Sequence, residues 1–332
     1  MCCSACSTWA TDGSEVVPTV TVLDDYQNVA LTVADWSPVR ERFDVDVVDE
    51  HIDDEGELVA RLADSEVVVV MRERTPFPAS VLNALPNLRL LITTGMANAA
   101  LDLDAARARG VTVCGTTAAG NAMPELTIGM IIALTRNFAA EDAAVRAGRW
   151  QHTIGPGLAG STLGVVGLGR LGAPVVRLAQ AFDMSVIAWS PNLTPERAAE
   201  HGARAVAKQE LFAQADVVTI HMPLSERSRG LVGADELGAM QPTAYLINTS
   251  RGPIVEESAL LDALRERRIA GAGLDVYDVE PLPVDHPLRS VPNTLLLPHI
   301  GYVTTDTYRH WFAQVVEDIV AWDDGNPQRT LT

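Results

Sequence analysis

One stretch near the middle of the chain limits its possible folds more than any other. The apolar run Leu163-Gly164-Val165-Val166 passes directly into Gly167-Leu168-Gly169-Arg170-Leu171-Gly172, and apolar residues then recur at Leu171, Val175, Leu178 and Phe182 with helical spacing. In a strand–turn–helix of this kind the first glycine makes the tight turn. The second lets the backbone approach a pyrophosphate, and the third lets the helix pack closely on the strand. The start of the helix adds free N–H groups and a positive dipole end for the phosphates. Three spaced glycines alone could mark a plain structural βα turn. With a strand before and an amphipathic helix after, they point to dinucleotide binding.

The surrounding chain repeats the same rhythm. Short apolar runs at 19–23, 45–48, 67–71, 88–92 and 111–113 read as buried strands, separated by helical stretches such as 55–63 and 102–109, the latter closed by Gly110. A second series starts at Leu163 and continues at 186–189, 217–220, 245–248, 273–276 and 295–297. Alternating strands and helices imply parallel sheets covered on both faces. Between the series lies one long apolar helix, expected from Pro124 to about Ala147, with the proline placed near its start. Another helix is expected over 305–322.

Because the glycine turn sits mid-chain, the nucleotide domain is expected to be an insertion. The substrate domain would comprise 18–118 and 300–332, and the Rossmann-type NAD(P) domain 119–299. A cleft between two such lobes is where cofactor and small substrate could meet.

Composition narrows the function classes. At 332 residues, 47% hydrophobic and 20% charged, the chain suits a two-domain globular enzyme. No apolar run approaches the roughly 18 residues of a membrane span. A formal net charge of −18 argues against nucleic acid or an anionic membrane surface as a partner. Three of the four cysteines, Cys2, Cys3 and Cys6, lie in residues 1–17, which are expected to form a disordered extension. That segment lacks the basic start and continuous apolar core of a secretory signal. No second cluster of Cys and His completes a metal site, so no metal is expected. The cysteine-poor body, with only Cys114, suits the cytoplasm.

Three titratable groups fall just past strands of the second series. Arg251 follows Tyr245-Leu246-Ile247-Asn248-Thr249-Ser250, Glu280 follows Gly273-Leu274-Asp275-Val276-Tyr277, and His299 follows Leu295-Leu296-Leu297-Pro298. Ligands of doubly wound folds bind outside the carboxyl ends of strands. Each residue taken singly could be an ordinary surface or loop group. Together, beside a dinucleotide turn, they form a candidate catalytic set. A histidine can donate a proton to a developing alkoxide near neutral pH. A neighbouring carboxylate favours the imidazolium and orients it, and an arginine can hold a substrate carboxylate through paired hydrogen bonds.

With GLGRLG, NTSRG, GLDVYDVEP and PHIGY in this order, residues 19–330 resemble the D-isomer-specific 2-hydroxyacid dehydrogenases. The family includes enzymes reducing glyoxylate, hydroxypyruvate and pyruvate, and phosphoglycerate dehydrogenases. The resemblance implies a Rossmann-type nucleotide domain inserted into a flavodoxin-like substrate domain, using NAD(H) or NADP(H). It implies reversible reduction of a small anionic 2-oxo acid to the D-2-hydroxy acid, with Arg251, Glu280 and His299 as the catalytic set. Cofactor contacts are implied for Gly167, Gly169, Arg170, Leu171, Gly172, Ser190, Asn192, His221, Met222, Pro223, Thr249, Ser250, Asp275 (at the nicotinamide end) and Gly301. Substrate contacts are implied for Arg72, Gly95, Met96 and Arg251. A two-fold homodimer is implied too, with the apolar segment 125–140 at its interface. A nucleotide-sensing binding protein of the corepressor type on the same fold is the alternative, disfavoured by the absence of a basic patch.

Four departures modify these expectations. Glu280 stands where formate dehydrogenases of the fold carry Gln, which argues against that branch. Glu73 replaces a small polar residue beside Arg72 and would repel a substrate phosphate. No regulatory domain is expected beyond Thr332. Met96-Ala97 replaces a glycine-rich form and could alter pocket size, or be ordinary loop packing. Finally, Ser190 occupies the place where NAD-specific members put an aspartate on the ribose 2′-hydroxyl. Neither an acid nor a base lies between Ser185 and Thr194, so both NADH and NADPH are expected to serve, with Ser190, Asn192 and Thr194 hydrogen-bonding either form.

Overall fold

The computed structural model describes residues 17–118 and 120–332, so the expected extension at 1–17, with its three cysteines, lies almost wholly outside the described residues. The chain divides into two compact units. One ends at Ala119 and resumes over Thr305–Thr332, and the other is Gly120–Thr304.

The first unit is built on five strands: β1 (Thr19–Val22), β2 (Asp44–Val47), β3 (Ser65–Val70), β4 (Leu90–Thr93) and β5 (Thr112–Gly115). They are all parallel and run in the order β2-β1-β3-β4-β5, the flavodoxin-like arrangement. Val68, Val70, Leu91 and Val113 turn one face of this sheet into a core with Phe77, Leu82 and Leu62. The helix Thr305–Asp323 buries Tyr308, Trp311, Phe312, Val315 and Ile319 within this unit. The segment after it runs antiparallel along β5, with Leu331 N–H donating to the Val113 carbonyl at 2.7 Å and Gly115 N–H to that of Arg329 at 3.0 Å. An otherwise open sheet edge is thereby covered.

The second unit holds seven parallel strands: β6 (Thr162–Val166), β7 (Ser185–Trp189), β8 (Arg204–Ala205), β9 (Val217–Ile220), β10 (Tyr245–Asn248), β11 (Gly271–Leu274) and β12 (Thr294–Leu296). Their order is β12-β11-β10-β9-β6-β7-β8, with the reversal of direction beside β6, as in a Rossmann fold. Both faces are covered, so successive residues enter opposite layers. Val166, Val218 and Leu246 join one core with Phe212 and Leu260, whereas Val165, Val217 and Ile247 join the other with Ile131 and Val175. This is why the strands read as continuous apolar runs. The two-residue β8 has no such run and was not expected.

Two expectations need correction. The long helix is two helices, Ala122–Thr135 and Phe138–Arg146, because Asn137 takes a left-handed conformation at φ +53° and ends the first. Residues 300–304 belong with the second unit, since the Ile300 and Gly301 amides are tied to Asp275. Within the segment 125–140, expected at a dimer interface, Thr127, Ile128, Met130, Ile131 and Thr135 are buried in their own unit, and the remaining residues are partly or fully exposed. The exposed large apolar groups nearby are Phe138, Val145, Trp150 and Ile154. Among the described residues no helix is long and apolar enough to cross a membrane, and no cluster of His, Cys, Asp and Glu could hold a metal ion.

Candidate active site

The glycine turn has the geometry its spacing predicts. Gly167 leaves β6 at φ +102°, a conformation that L side chains rarely adopt, and a Cβ there would lie 2.5 Å from the His221 carbonyl oxygen. A Cβ on Gly172, at the start of the helix Gly172–Ala181, would collide with the Gly167 carbonyl. Gly169 instead faces open space, with nothing within 4 Å of where its Cβ would be. Two glycines thus close the turn, and the third keeps an approach free for a ligand. Arg170 and Leu171 are exposed at the helix start.

His221 follows β9 beside this turn, its amide donating to the Val166 carbonyl at 2.8 Å. Its ring is buried, which pushes its pKa down to about 3, so it is neutral. Nε2 lies 3.0 Å from the Thr219 hydroxyl, and among the described residues Nδ1 has no hydrogen-bond partner. The open space at Gly169 and this orphaned buried nitrogen fit a bound dinucleotide. Met222 and Pro223 continue the same loop, where the Pro223 carbonyl accepts from the Ser228 hydroxyl at 2.7 Å.

Ser190 has a structural use that the expectation did not include. Its hydroxyl accepts the Leu168 N–H at 3.0 Å and so braces the glycine turn itself. The Thr194 hydroxyl likewise accepts the Arg197 N–H at 3.3 Å, capping the helix Pro195–Ala199. Each of these hydroxyls keeps its O–H hydrogen and a second lone pair that could meet a ribose, while Asn192 is exposed.

At the carboxyl end of β10, Ser250 donates its hydroxyl to the Ile220 carbonyl at 2.7 Å, and Thr249 lies 3.1 Å from the Thr127 hydroxyl. The Asn248 side chain accepts the Ser250 N–H at 3.0 Å and donates to the Arg251 carbonyl at 2.9 Å, which shapes the turn that presents Arg251. The Arg251 guanidinium donates to the Ser250 carbonyl at 2.7 Å.

Past β11 and β12, the structure brings Glu280 and His299 together. Glu280 Oε2 is 2.6 Å from His299 Nδ1, while Oε1 accepts the Tyr277 N–H at 2.9 Å. His299 has φ +53°, a strained position for a histidine. Asp275 holds it there. This fully buried carboxylate accepts the Ile300 and Gly301 amides, one on each oxygen, both at 2.8 Å. Burial raises the Asp275 pKa, against the lowering pull of those amides and of the His299 charge. Asp275 is therefore engaged in fixing the His299 loop, a use the expected nicotinamide contact did not include. Tyr302 sets its ring edge-on to that of His299, with centroids 5.6 Å apart. The Tyr277 hydroxyl donates to the Leu297 carbonyl at 2.9 Å, tying the loop after β11 to the end of β12. The tie from Tyr277 had no signal in the sequence beyond its place in the motif.

In the first unit, Arg72 lies just past β3 at φ +55°. Its guanidinium donates to the Thr94 carbonyl at 3.2 Å, and its Nε is 3.7 Å from the Glu73 carboxylate. Gly95, at φ +107°, has no room for a Cβ because the Arg72 guanidinium fills that place. The Gly95 N–H donates to the Thr116 hydroxyl at 2.8 Å, and the Met96 side chain beside it is exposed. The structure thus joins Arg72 and Gly95.

A fold with a dinucleotide turn and a carboxylate–histidine pair on one parallel sheet defines an NAD(P)-dependent oxidoreductase class. Residues 128–301 match the family model for the D-isomer specific 2-hydroxyacid dehydrogenase NAD-binding domain. The glyoxylate reductase of Korarchaeum cryptofilum is 32% identical over 297 residues, 87% of this chain and 89% of that protein. The D-3-phosphoglycerate dehydrogenase of Archaeoglobus fulgidus is 34% identical over 277 residues, 82% of this chain but 52% of that protein. This chain therefore spans about half the length of that phosphoglycerate dehydrogenase. The crystal structure of a phosphoglycerate oxidoreductase from Vibrio cholerae superimposes with a TM-score of 0.88 at 35% identity, covering 93% of this chain and 99% of that one. The chain belongs to the D-isomer-specific 2-hydroxyacid dehydrogenase family.

Proposed function

We propose that this protein reduces a small 2-oxo acid of the glyoxylate or hydroxypyruvate type to the D-2-hydroxy acid, and catalyses the reverse reaction. The observation that carries this reading is the Glu280–His299 pair, 2.6 Å apart and locked by Asp275 on the sheet that bears the glycine turn. Gly167, Gly169 and Gly172 would hold the pyrophosphate, with His221, Thr249 and Ser250 along the cofactor, which when bound supplies the hydride. His299 Nδ1 is taken up by Glu280, which leaves Nε2 to give its proton to the oxygen of the carbonyl being reduced. Glu280 fixes the orientation of the ring, so that Nε2 is the nitrogen presented for this transfer. Arg251 holds the carboxylate and polarises the carbonyl, and Arg72 with the backbone around Gly95 supplies further contacts to the acid. The glyoxylate reductases among the relatives support this substrate class, and Glu73 beside Arg72 disfavours a phosphorylated one.

Lacking an acid at Ser190, the protein accepts NADH and NADPH with weak discrimination. It forms a homodimer through the exposed apolar groups Phe138, Val145, Trp150 and Ile154. The test is oxidation of NADH and of NADPH with glyoxylate, hydroxypyruvate, pyruvate and phosphohydroxypyruvate, with chiral analysis of the product. Turnover of the first two to the D-product is expected. No turnover of any 2-oxo acid with either cofactor would overturn the reading.

A further inference from the structure

At the carboxyl end of the first sheet, a buried polar cluster lies where the strand order reverses between β1 and β3. Asp24, just past β1, is 1% exposed. Its Oδ2 accepts the Thr75 hydroxyl at 2.7 Å. Its Oδ1 accepts the Tyr26 hydroxyl at 3.3 Å and lies 3.2 Å from His51 Nδ1. Its backbone carbonyl accepts from Arg74 at 3.5 Å, and the Arg74 guanidinium stacks 4.6 Å from the centre of the Tyr26 ring. Thr75 and Arg74 belong to the loop that carries Arg72. Asp24 therefore grips that loop from the neighbouring strand.

His51 holds Asp24 in turn. Its second nitrogen, Nε2, lies 3.0 Å from the carboxylate of Asp53, which is largely exposed. Both ring nitrogens thus face carboxylate oxygens. A neutral imidazole has one N–H and can satisfy one of them, whereas the imidazolium donates to both. The charged groups facing this ring are Asp24 and Asp53, and Asp24 is also bonded by Tyr26 and Arg74. The hydrogen bond that the ring donates to Asp24 raises the His51 pKa.

We propose that Asp24 and His51 are positioning residues for the Arg72–Thr75 loop, and that protonation of His51 sets how tightly the protein binds its oxo acid. The inference rests on the reading that Arg72 contacts that acid. With His51 charged, Asp24 keeps a full set of donors and the loop stays in register. As pH rises and His51 loses its proton, the ring can donate to Asp24 or to Asp53 but not to both, and the positive charge that offset the buried Asp24 carboxylate is gone. Its hold on Thr75 loosens and Arg72 shifts. The hydride and proton steps belong to other residues, so the effect falls on KM and not on kcat.

The experiment measures KM and kcat for glyoxylate from pH 5.5 to 9, and NADH affinity by fluorescence, in wild type, His51→Gln, His51→Asn, Thr75→Val and Arg72→Ala. In the wild type KM should rise several-fold across this range. His51→Gln and His51→Asn should each flatten that rise, while the pH dependence of kcat and the affinity for NADH stay as in wild type. Thr75→Val should raise KM at every pH and make it insensitive to a second change at His51. Retention of the wild-type KM profile in both His51 variants would overturn the inference. Should either fail to fold, the Thr75→Val profile and the NMR titration of the His51 ring in the intact protein decide it, with coincidence between ring titration and KM rise required. Arg72→Ala separates the two levels. An unchanged KM in that variant overturns the substrate reading itself, whereas a tenfold rise with unresponsive His51 variants overturns only the role of His51.

Discussion

The two sheets hold their polar groups by different means. At the carboxyl end of the seven-stranded sheet the backbone does the holding. Asp275 takes two amides, Glu280 takes the Tyr277 amide, and Ser190 takes the Leu168 amide. At the same end of the five-stranded sheet side chains hold one another, through Asp24, Thr75, Tyr26 and His51. A group bonded to main-chain amides is fixed by the fold and has little freedom to respond. A group held by other titratable side chains shifts whenever one of them changes charge. The proposed proton transfer lies in the first kind of setting, and the proposed contact of Arg72 with the oxo acid in the second.

The sharpest separation of the two should come from His299→Ala. Turnover should fall by about a hundredfold to ten-thousandfold, the scale of general acid–base catalysis, with NADH affinity by fluorescence near wild type. In the wild type, reduction should weaken toward alkaline pH, since the imidazolium is the proton donor, and oxidation should strengthen. Near-native turnover in this variant would erase the distinction by placing the proton transfer elsewhere.

A somewhat smaller effect concerns Asp318, a buried carboxylate of the first unit held by the Arg329 guanidinium at 3.1 Å. Burial outweighs that partner and raises its pKa to about 6 from an ordinary 3.8. The folded protein therefore binds this proton more tightly than the unfolded chain does. The stability it contributes is complete below about pH 4 and is lost as pH rises through about 6, a change of up to about 3 kcal/mol. Denaturant unfolding of wild type and Asp318→Asn at pH 4, 5, 6 and 7 should show their difference in stability drifting against wild type over that span. A constant difference would mean that Arg329 keeps the carboxylate ionised throughout.

Smaller again is Gly95→Ala. The new methyl would occupy the place of the Arg72 guanidinium, so KM for the oxo acid should rise about tenfold, or about 1.4 kcal/mol, with NADH affinity unmoved. A change in NADH affinity would show that the two units do not act separately. The weakest effect is expected at Ser190. Loss of its bond to Leu168 in Ser190→Ala should weaken NADH and NADPH alike, by about 1 kcal/mol or roughly fivefold. Ser190→Asp keeps an acceptor for that amide and should favour NADH. A loss confined to one cofactor in Ser190→Ala would return this residue to ribose recognition.

What could be read from the sequence divides along the same line. Strands β6, β9 and β10 and the glycine turn were legible because burial on both faces leaves unbroken apolar runs, and Gly167 and Gly172 have no substitute where a Cβ would strike backbone. Arg251, Glu280 and His299 could be singled out because each follows its strand within a few residues. Asp24, His51 and Thr75 come from three segments and none stands in an unusual local pattern, so only the pairing of β1 with β2 and β3 brings them together. The break at Asn137 was hidden as well, since an asparagine in a left-handed turn looks like any other polar residue in a helical run. Spacing assigned Ser190 to the ribose position, but its hydrogen bond to Leu168 depends on a distance that spacing does not disclose.

The helix Thr305–Asp323 and the segment along β5 complete a sheet whose five strands all lie before Ala119. On the ribosome the 185 residues of Gly120–Thr304 are made in between. At roughly 5–20 residues per second that takes about 10–40 s. For that interval the older unit waits with one flank and the outer edge of β5 uncovered, while the younger one has everything it needs to close. The last-made part of the chain thus finishes the first-made unit, and the waiting edge is where nascent copies would pair with one another.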